Sequence, residues 1–260
     1  MDAKRLLATS SEYLPVDGSS SPADRDPSAS FAWRILHASA FLEGGLTFIA
    51  GTAVLYWPAS PPLATLSAAL YTVGSLGFLF VDVQEFFTFV SEPVLRANIA
   101  LSATGSLLYV LGSLGFLPAV EAATPIVGTW GFLLGSALIF VSQSKKLLRI
   151  GGAAGCGSDS GSSGNGSGSG GGGGGRGCGC GGFSVSALCG TKESASAAVV
   201  EGGAGLGALL FLVGTAVFAA PLGESAFGGA LVLALWLAGS LAFTAGGLSL
   251  AFRHFVLGVA

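Results

Sequence analysis

Residues 108–118, LYVLGSLGFLP, form an apolar run with a Gly-Ser pair at its centre and a proline at its end. Two other stretches follow the same pattern: FIAGTAVLYWP at residues 48–58 and FLVGTAVFAAP at residues 211–221. Glycine and serine are weak helix formers in water, but they are common where two membrane helices pack closely. The proline at the end of each run cannot continue a helix. The three stretches therefore predict three membrane helices, each followed by a turn.

Each of these helices is followed by a second apolar segment that also has a Gly-Ser pair. The paired glycines are separated by 23, 23 and 25 residues. This spacing predicts three copies of one helical hairpin, in residues 33–90, 94–150 and 194–255. Because each copy crosses the membrane twice, all three copies have the same orientation. A ring around a pseudo-threefold axis is one arrangement open to them.

The composition is typical of a multi-pass membrane protein. Of the 260 residues, 51% are hydrophobic and only 10% are charged, and the mean hydropathy is +0.74. A soluble domain has about 25% charged residues, whereas about 20 apolar residues in a helix cross a bilayer. We predict an all-α, polytopic fold with six transmembrane helices as three parallel two-helix hairpins. The predicted spans are residues 35–57, 63–81, 97–117, 125–142, 196–219 and 227–250.

The basic residues predict the orientation of the chain. All 11 Lys and Arg residues flank the same ends of the six spans. Short loops rich in Lys and Arg remain on the cytoplasmic side of a membrane, so both termini are predicted to be cytoplasmic. The sequence leaves the identity of the membrane open. The basic residues are Lys4, Arg5, Arg25, Arg34, Arg96, Lys145, Lys146, Arg149, Arg176, Lys192 and Arg253.

Glycines in the spans are predicted to mediate helix packing. Glycine lets two helix backbones approach closely, and a neighbouring Ser or Thr hydroxyl can bond to its own helix or to the next one. The alternative is that some of these glycines provide a flexible point in a gating helix. The candidate packing residues are Gly51, Gly74, Gly112, Gly131, Gly135, Gly203, Gly207, Gly214 and Gly239.

Polar residues recur near the cytoplasmic end of the first helix of each hairpin. They are His37, Asn98 and Glu201, which lie 13 or 14 residues before the Gly-Ser/Thr pair. At that depth they are interpreted as interfacial anchors or as partners in helix–helix hydrogen bonds. Asp82 and Glu85 follow the second span and are also predicted to lie near the interface.

Glu43 is predicted to lie well inside the hydrocarbon, eight residues before Gly51. An acidic residue at the centre of a span costs about 2.5 to 3.5 kcal/mol on insertion scales, unless it is protonated or paired. Intramembrane carboxylates are candidates for function by default. Two interpretations stay open: a proton-exchanging group of a transporter, or a protonated side chain hydrogen bonded to a neighbouring hydroxyl.

Two segments are predicted to be disordered. One is a cytoplasmic tail at residues 1–32, and the other is a Gly/Ser/Cys-rich loop at residues 151–193. All four cysteines lie in this loop, and the Cys178–Cys180 spacing is not the C-x-x-C of zinc sites. Free thiols, or palmitoylation of Cys189 next to the fifth span, are favoured over a metal site.

The first hairpin resembles the YrhK-like domain, a small bacterial membrane domain. The resemblance is carried by WRILHASAFLEGGLTFIAGTAVLYWP at residues 33–58 and LYTVGSLGFLFVDVQEF at residues 70–86. It is strongest over residues 33–90, and the other two hairpins match the glycine and proline positions more loosely. The resemblance supports the membrane architecture and implies no particular activity.

The sequence favours a non-enzymatic membrane protein. The chain has two histidines, His37 and His254, and no pattern of a nucleophile with its base or of metal ligands. We expect no catalytic residue, no cofactor and no nucleic-acid partner; the lipid bilayer is the expected partner. A second copy of the chain or another membrane protein is left open as a further partner. The favoured role is structural, scaffolding or lipid-organising, and the alternative is a small channel or proton-linked transporter that uses an intramembrane carboxylate.

Overall fold

The computed structural model describes residue 28, residues 30–153 and residues 190–259. Within these ranges the chain is helical, with six long helices and two short ones. The four cysteines, most of the predicted loop and nearly all of the predicted tail lie outside the described residues. The elements are α1 (Phe31–Val54), α2 (Pro61–Thr88), α3 (Pro93–Gly115), α4 (Pro118–Ala123), α5 (Ile126–Ala153), α6 (Lys192–Ala219), a 3-10 turn (Pro221–Glu224) and α7 (Ala226–Phe255).

Five of the long helices are long and apolar enough to cross a membrane: α2, α3, α5, α6 and α7. The first long helix, α1, is not in this group. It has His37 and Glu43 within its 24 residues, and both lower its hydropathy. Five apolar helices are typical of a multi-pass membrane protein, and the described residues are all-α; a sixth span remains a prediction.

Local sequence explains where the helices begin. Proline occupies the first turn of α2, α3 and α4, where a missing backbone N–H costs nothing. The start of α6 is capped by Thr191, whose hydroxyl accepts from the backbone N–H of Ser194 at 3.0 Å. Ser225 caps α7 in the same way through the backbone N–H of Gly228.

Two helices extend furthest beyond the predicted ends of their spans, which are residues 81 and 142. In the structure α2 continues to Thr88 and α5 continues to Ala153. The predicted spans end near the first charged residues, whereas the helices continue past them. Glu85 and Lys146 lie on these helical extensions and contact each other inside the bundle. Helix α5 also includes the first residues, 151–153, of the segment predicted to be a loop.

The six long helices form a closed ring in which each one packs mainly against two others. Within a predicted hairpin, α1 packs on α2, α3 on α5, and α6 on α7. Between hairpins, α2 packs on α3, α5 on α6, and α7 on α1. The short helix α4 and the 3-10 turn connect neighbouring helices at one end of the ring.

The centre of the ring is filled by six aromatic side chains, one from each long helix. Each lies four residues before the Ser or Thr of a Gly-Ser/Thr pair, and each is buried. Their rings contact one another mostly edge to face, with centroids 4.9 to 6.4 Å apart. This arrangement is favourable for aromatic quadrupoles. We call these residues the aromatic layer: Phe48, Tyr71, Tyr109, Phe132, Phe211 and Trp236.

The hydroxyls of the six Gly-Ser/Thr pairs are completely buried next to the aromatic layer: Thr52, Ser75, Ser113, Ser136, Thr215 and Ser240. In the second hairpin the hydroxyls of Tyr109 and Ser136 lie 2.8 Å apart. In the third hairpin Trp236 Nε1 donates to Thr215 Oγ1 at 3.3 Å. The first hairpin has the same link, between Thr52 and Tyr71 at 2.5 Å. One aromatic–hydroxyl hydrogen bond thus connects the two helices of every hairpin.

The candidate packing glycines lie where two helices approach most closely. A Cβ atom at Gly131 would lie 2.5 Å from the Cα atom of Gly112. A Cβ atom at Gly135 would lie 2.8 Å from the backbone oxygen of Gly105, and one at Gly207 would lie 2.9 Å from that of Gly239. Real Cβ contacts are longer than this, so a larger side chain would push the backbones apart.

Candidate functional site

The described interior contains a group of buried ionisable side chains at the end of the ring where the basic residues lie. Lys146 on α5 is at its centre, with its ammonium Nζ 3.0 Å from Glu85 Oε2 on α2. The same ammonium lies 3.8 Å from Glu201 Oε2 on α6. All three side chains are largely buried, between 11% and 17% exposed. The ammonium of Lys146 therefore lies close to two carboxylates, each from a different helix.

Two histidines extend this group, which we call the charge cluster, toward the last residues of the described chain. His37 Nδ1 on α1 and His254 Nε2 on α7 lie 3.0 Å apart. His254 Nδ1 lies 2.9 Å from the backbone oxygen of Val259, which can only accept a hydrogen bond. His37 Nε2 lies 3.4 Å from Glu85 Oε1, and Trp33 stacks on the His37 ring with centroids 4.4 Å apart.

The hydrogen-bond pattern assigns the protons of the histidine pair. Since the Val259 oxygen accepts, Nδ1 of His254 has the hydrogen, and Nε2 of a neutral His254 accepts from Nδ1 of His37. The remaining nitrogen of His37 faces the carboxylate of Glu85. A second proton on His37 would therefore form an ion pair with Glu85, whereas a second proton on His254 would face another N–H.

A second polar region adjoins the charge cluster. Ser106 on α3 donates a hydrogen bond of 2.6 Å to Asp82 Oδ2 on α2. The hydroxyl of Ser102, one turn before Ser106, lies 3.5 Å from Gln143 Nε2 on α5. These four side chains are buried and line part of a cavity of about 20 Å³. Apolar side chains from α1, α2, α5, α6 and α7 complete its wall.

The structure brings together most of the polar residues that the sequence singled out. His37, Glu85 and Glu201 belong to the charge cluster, and Asp82 adjoins it. Asn98 forms a helix–helix contact instead: its Nδ2 donates to the backbone oxygen of Ser142 at 3.0 Å, and the Ser142 hydroxyl donates back to the Asn98 oxygen at 2.9 Å.

Glu43 lies apart from this group. Its carboxylate is half-buried in the groove between α1 and α2, close to Gly77. Within the described part of the chain it makes no hydrogen bond or ion pair. The nearby Leu46 is 50% exposed, so this groove opens toward the outside of the ring.

Sequence reasoning missed five residues of the site: Ser102, Ser106, Gln143, Lys146 and His254. Lys146 was assigned to a cytoplasmic loop because of its charge. The spacing of the residues was an available signal, since residues three or four apart share one face of a helix. Ser102 and Ser106 are four apart on α3, and Gln143 and Lys146 are three apart on α5. Their shared faces point into the bundle.

The site overlaps a region that resembles known proteins. Residues 96–149 match the family model described as YrhK-like protein. The match bears out the resemblance to the YrhK-like domain, but it falls on the second hairpin and not on residues 33–90, where the resemblance is expected to be strongest. Asn98, Gln143 and Lys146 lie within the YrhK-like region. No curated protein and no solved structure matches the chain.

Proposed function

We propose that the chain is a six-span membrane protein with a structural role, as a scaffold or an organiser of lipids. The single observation that carries this proposal is the aromatic layer. Six interlocked rings fill the centre of the bundle where a transport pathway would have to pass. A close-packed interior of this kind stabilises a bundle and leaves no continuous route for water or ions.

The outward faces support the proposal that all six long helices contact lipid. A leucine on each long helix is about half exposed, including Leu46 on α1, and in water such a surface would favour aggregation. Since α1 exposes the same kind of surface as the other five, we propose that it is the sixth span despite its lower hydropathy. The leucines are Leu46, Leu76, Leu107, Leu134, Leu206 and Leu241.

We further propose that both termini lie in the cytoplasm and that the three hairpins are parallel repeats. The distribution of Lys and Arg supports this orientation. Tags placed in the tail, in the glycine-rich loop and at the C-terminus should show equal protease accessibility in sealed vesicles. If one tag were protected while the other two were cleaved, the six-span topology would be wrong.

A groove between α2 and α3 supports the lipid-organising part of the proposal. Arg96 lies at its edge, with its guanidinium carbon 4.2 Å from the centre of the Phe86 ring. The other lining residues are apolar, and the groove has a volume of about 290 Å³. An arginine bordered by apolar side chains complements an anionic phospholipid, whose phosphate would face the guanidinium while its acyl chain covers the apolar wall.

Lipid co-purification tests this groove. Purified protein should retain anionic phospholipid, as measured by mass spectrometry after washing in detergent, and Arg96→Gln should reduce the retained amount. Lys145→Gln is the matched control, because Lys145 is a solvent-exposed cation near the same end of the bundle. Equal retention by wild type and Arg96→Gln would rule out the groove as a lipid site.

The charge cluster favours a second candidate function, a proton-linked transporter. Buried carboxylates, a lysine and a histidine pair are the side chains of membrane proton relays. A flux assay in reconstituted vesicles separates the two candidates. We expect no proton flux above that of empty vesicles under a pH gradient, with a protonophore as the positive control. Gradient-dependent flux that Glu85→Gln abolishes would instead establish transport and refute the structural proposal.

A further inference from the structure

We propose that the cavity beside Asp82 binds a single sodium ion. The polar side chains that line it are a carboxylate, two hydroxyls and an amide, contributed by Asp82, Ser102, Ser106 and Gln143. Hard cations such as sodium prefer oxygen ligands of these kinds. The four side chains come from three helices, so a bound ion would hold α2, α3 and α5 together.

The size of the cavity limits the guest to one small particle. Its volume of about 20 Å³ corresponds to one water-sized sphere. The wall opposite the oxygens is apolar and aromatic, formed in part by Phe41, Phe78 and Phe243. A larger organic ligand does not fit, and a guest with a full hydration shell does not fit either.

An unpaired oxygen at this site points to a missing partner. Gln143 is 6% exposed, and within the described residues its Oε1 atom has no hydrogen-bond donor. Leaving a buried polar atom unpaired costs about 1 to 3 kcal/mol, so such atoms mark places where a water or an ion belongs. Gln143 Nε2 is directed to Ser102, which leaves the oxygen available to the guest.

The charge of Asp82 favours a cation over a water molecule. The hydrogen-bond partners of Asp82 are the neutral hydroxyls of Ser106 and Ser102, and no ion pair among the described residues includes Asp82. The nearest lysine, Lys146, is already shared between Glu85 and Glu201. A carboxylate that is 6% exposed and has no cation beside it is costly in a membrane interior. Sodium would neutralise it, and the Ser106 hydroxyl would still offer lone pairs to the ion.

Thermal unfolding of the purified full-length protein tests the site. At constant ionic strength and fixed pH, choline chloride is replaced stepwise by sodium chloride. Binding to the folded state should raise Tm with sodium concentration in the manner of mass action. Potassium should give a smaller rise, because a carboxylate in a one-water cavity favours the smaller ion. No response to sodium, or an equal response to potassium, would overturn the proposal.

Two variants and one control locate the effect. Asp82→Asn keeps the shape of the side chain but removes its charge, and it should weaken the apparent sodium affinity by about tenfold or more. Gln143→Met removes the unpaired oxygen and should also weaken the rise of Tm with sodium. This second variant keeps the test decisive if Asp82→Asn does not fold. Glu43→Gln removes a carboxylate outside the cavity and should respond to sodium like the wild type.

Direct binding provides a second measurement. Equilibrium binding of radioactive sodium to the wild-type protein should saturate at one ion per chain, and Gln143→Met should bind less. A sodium response that survives in both cavity variants would place the ion elsewhere and refute this site. The inference requires no transport, because a resident ion can stabilise a sealed bundle.

Discussion

Replacement of Lys146 is the most direct test of the charge cluster. Lys146→Met keeps the length and apolar stem of the side chain but removes the ammonium that contacts Glu85 at 3.0 Å and Glu201 at 3.8 Å. Two buried carboxylates would then lack their shared cation. Breaking a buried ion pair by removing one partner costs about 3 to 5 kcal/mol. For a chain of this size, at about 2 to 4 °C per kcal/mol, this corresponds to a loss of roughly 6 to 20 °C in Tm.

Lys145 provides the matched control for this experiment. It is the adjacent residue on α5, it has the same side chain, and it is exposed to solvent. Lys145→Met should change Tm little, since isolated surface charges contribute about 0 to 1 kcal/mol. Tm is measured by tryptophan or static-light-scattering detection of unfolding in one detergent for all variants.

A double variant tests the mechanism and not only the size of the effect. Lys146→Met combined with Glu85→Gln removes a buried negative charge together with its cation. If uncompensated charge is the cause, the double variant should be more stable than Lys146→Met alone. The reasoning is refuted if Lys146→Met is as stable as Lys145→Met, or if Glu85→Gln brings no recovery.

Three further variants test the packing and Glu43. Gly135→Leu should destabilise the bundle strongly or prevent folding, because a Cβ atom there would lie 2.8 Å from a backbone oxygen. Gly202→Leu is the control in the same thermal assay. It should be tolerated, because no atom lies within 4 Å of a Cβ placed at Gly202. Tyr109→Phe removes the hydroxyl of an interhelical hydrogen bond of 2.8 Å and should cost about 1 kcal/mol, while the exposed Tyr56→Phe should cost nothing measurable. Glu43→Gln should leave Tm unchanged or slightly higher, because the Glu43 carboxylate has no ion pair to lose in the described structure. Vesicles that contain this variant should show no proton flux. A marked loss of Tm would show that Glu43 has a structural partner.

The buried cluster also explains how charged residues are accommodated in so apolar a chain. Glu85, Lys146 and Glu201 lie on three different helices and face the interior. Each charge therefore has an opposite charge or a hydrogen-bond donor close by, as intramembrane ionisable residues generally do.

Much of the helical framework could be predicted from the sequence alone. The Gly-Ser/Thr pairs and the prolines after residues 57, 117 and 220 predicted where the helices lie and where the chain turns. This worked because helix length and apolar composition are local properties that the bilayer constrains strongly. The family was also recognised from local patterns, although its match falls at residues 96–149. Helices α2 and α5 continue past the predicted spans to Thr88 and Ala153, where their side chains contact each other.

The candidate site depended on tertiary structure. Considered one helix at a time, the sequence places three charged residues at the ends of membrane spans: Asp82, Glu85 and Lys146. Only the closed ring brings Lys146 within 3.0 Å of Glu85, across 61 residues of sequence. The sequence determined which segments are helices because those interactions are local. Which polar side chains meet was decided by packing, because the desolvation of a charge depends on its neighbours in space and not in the chain.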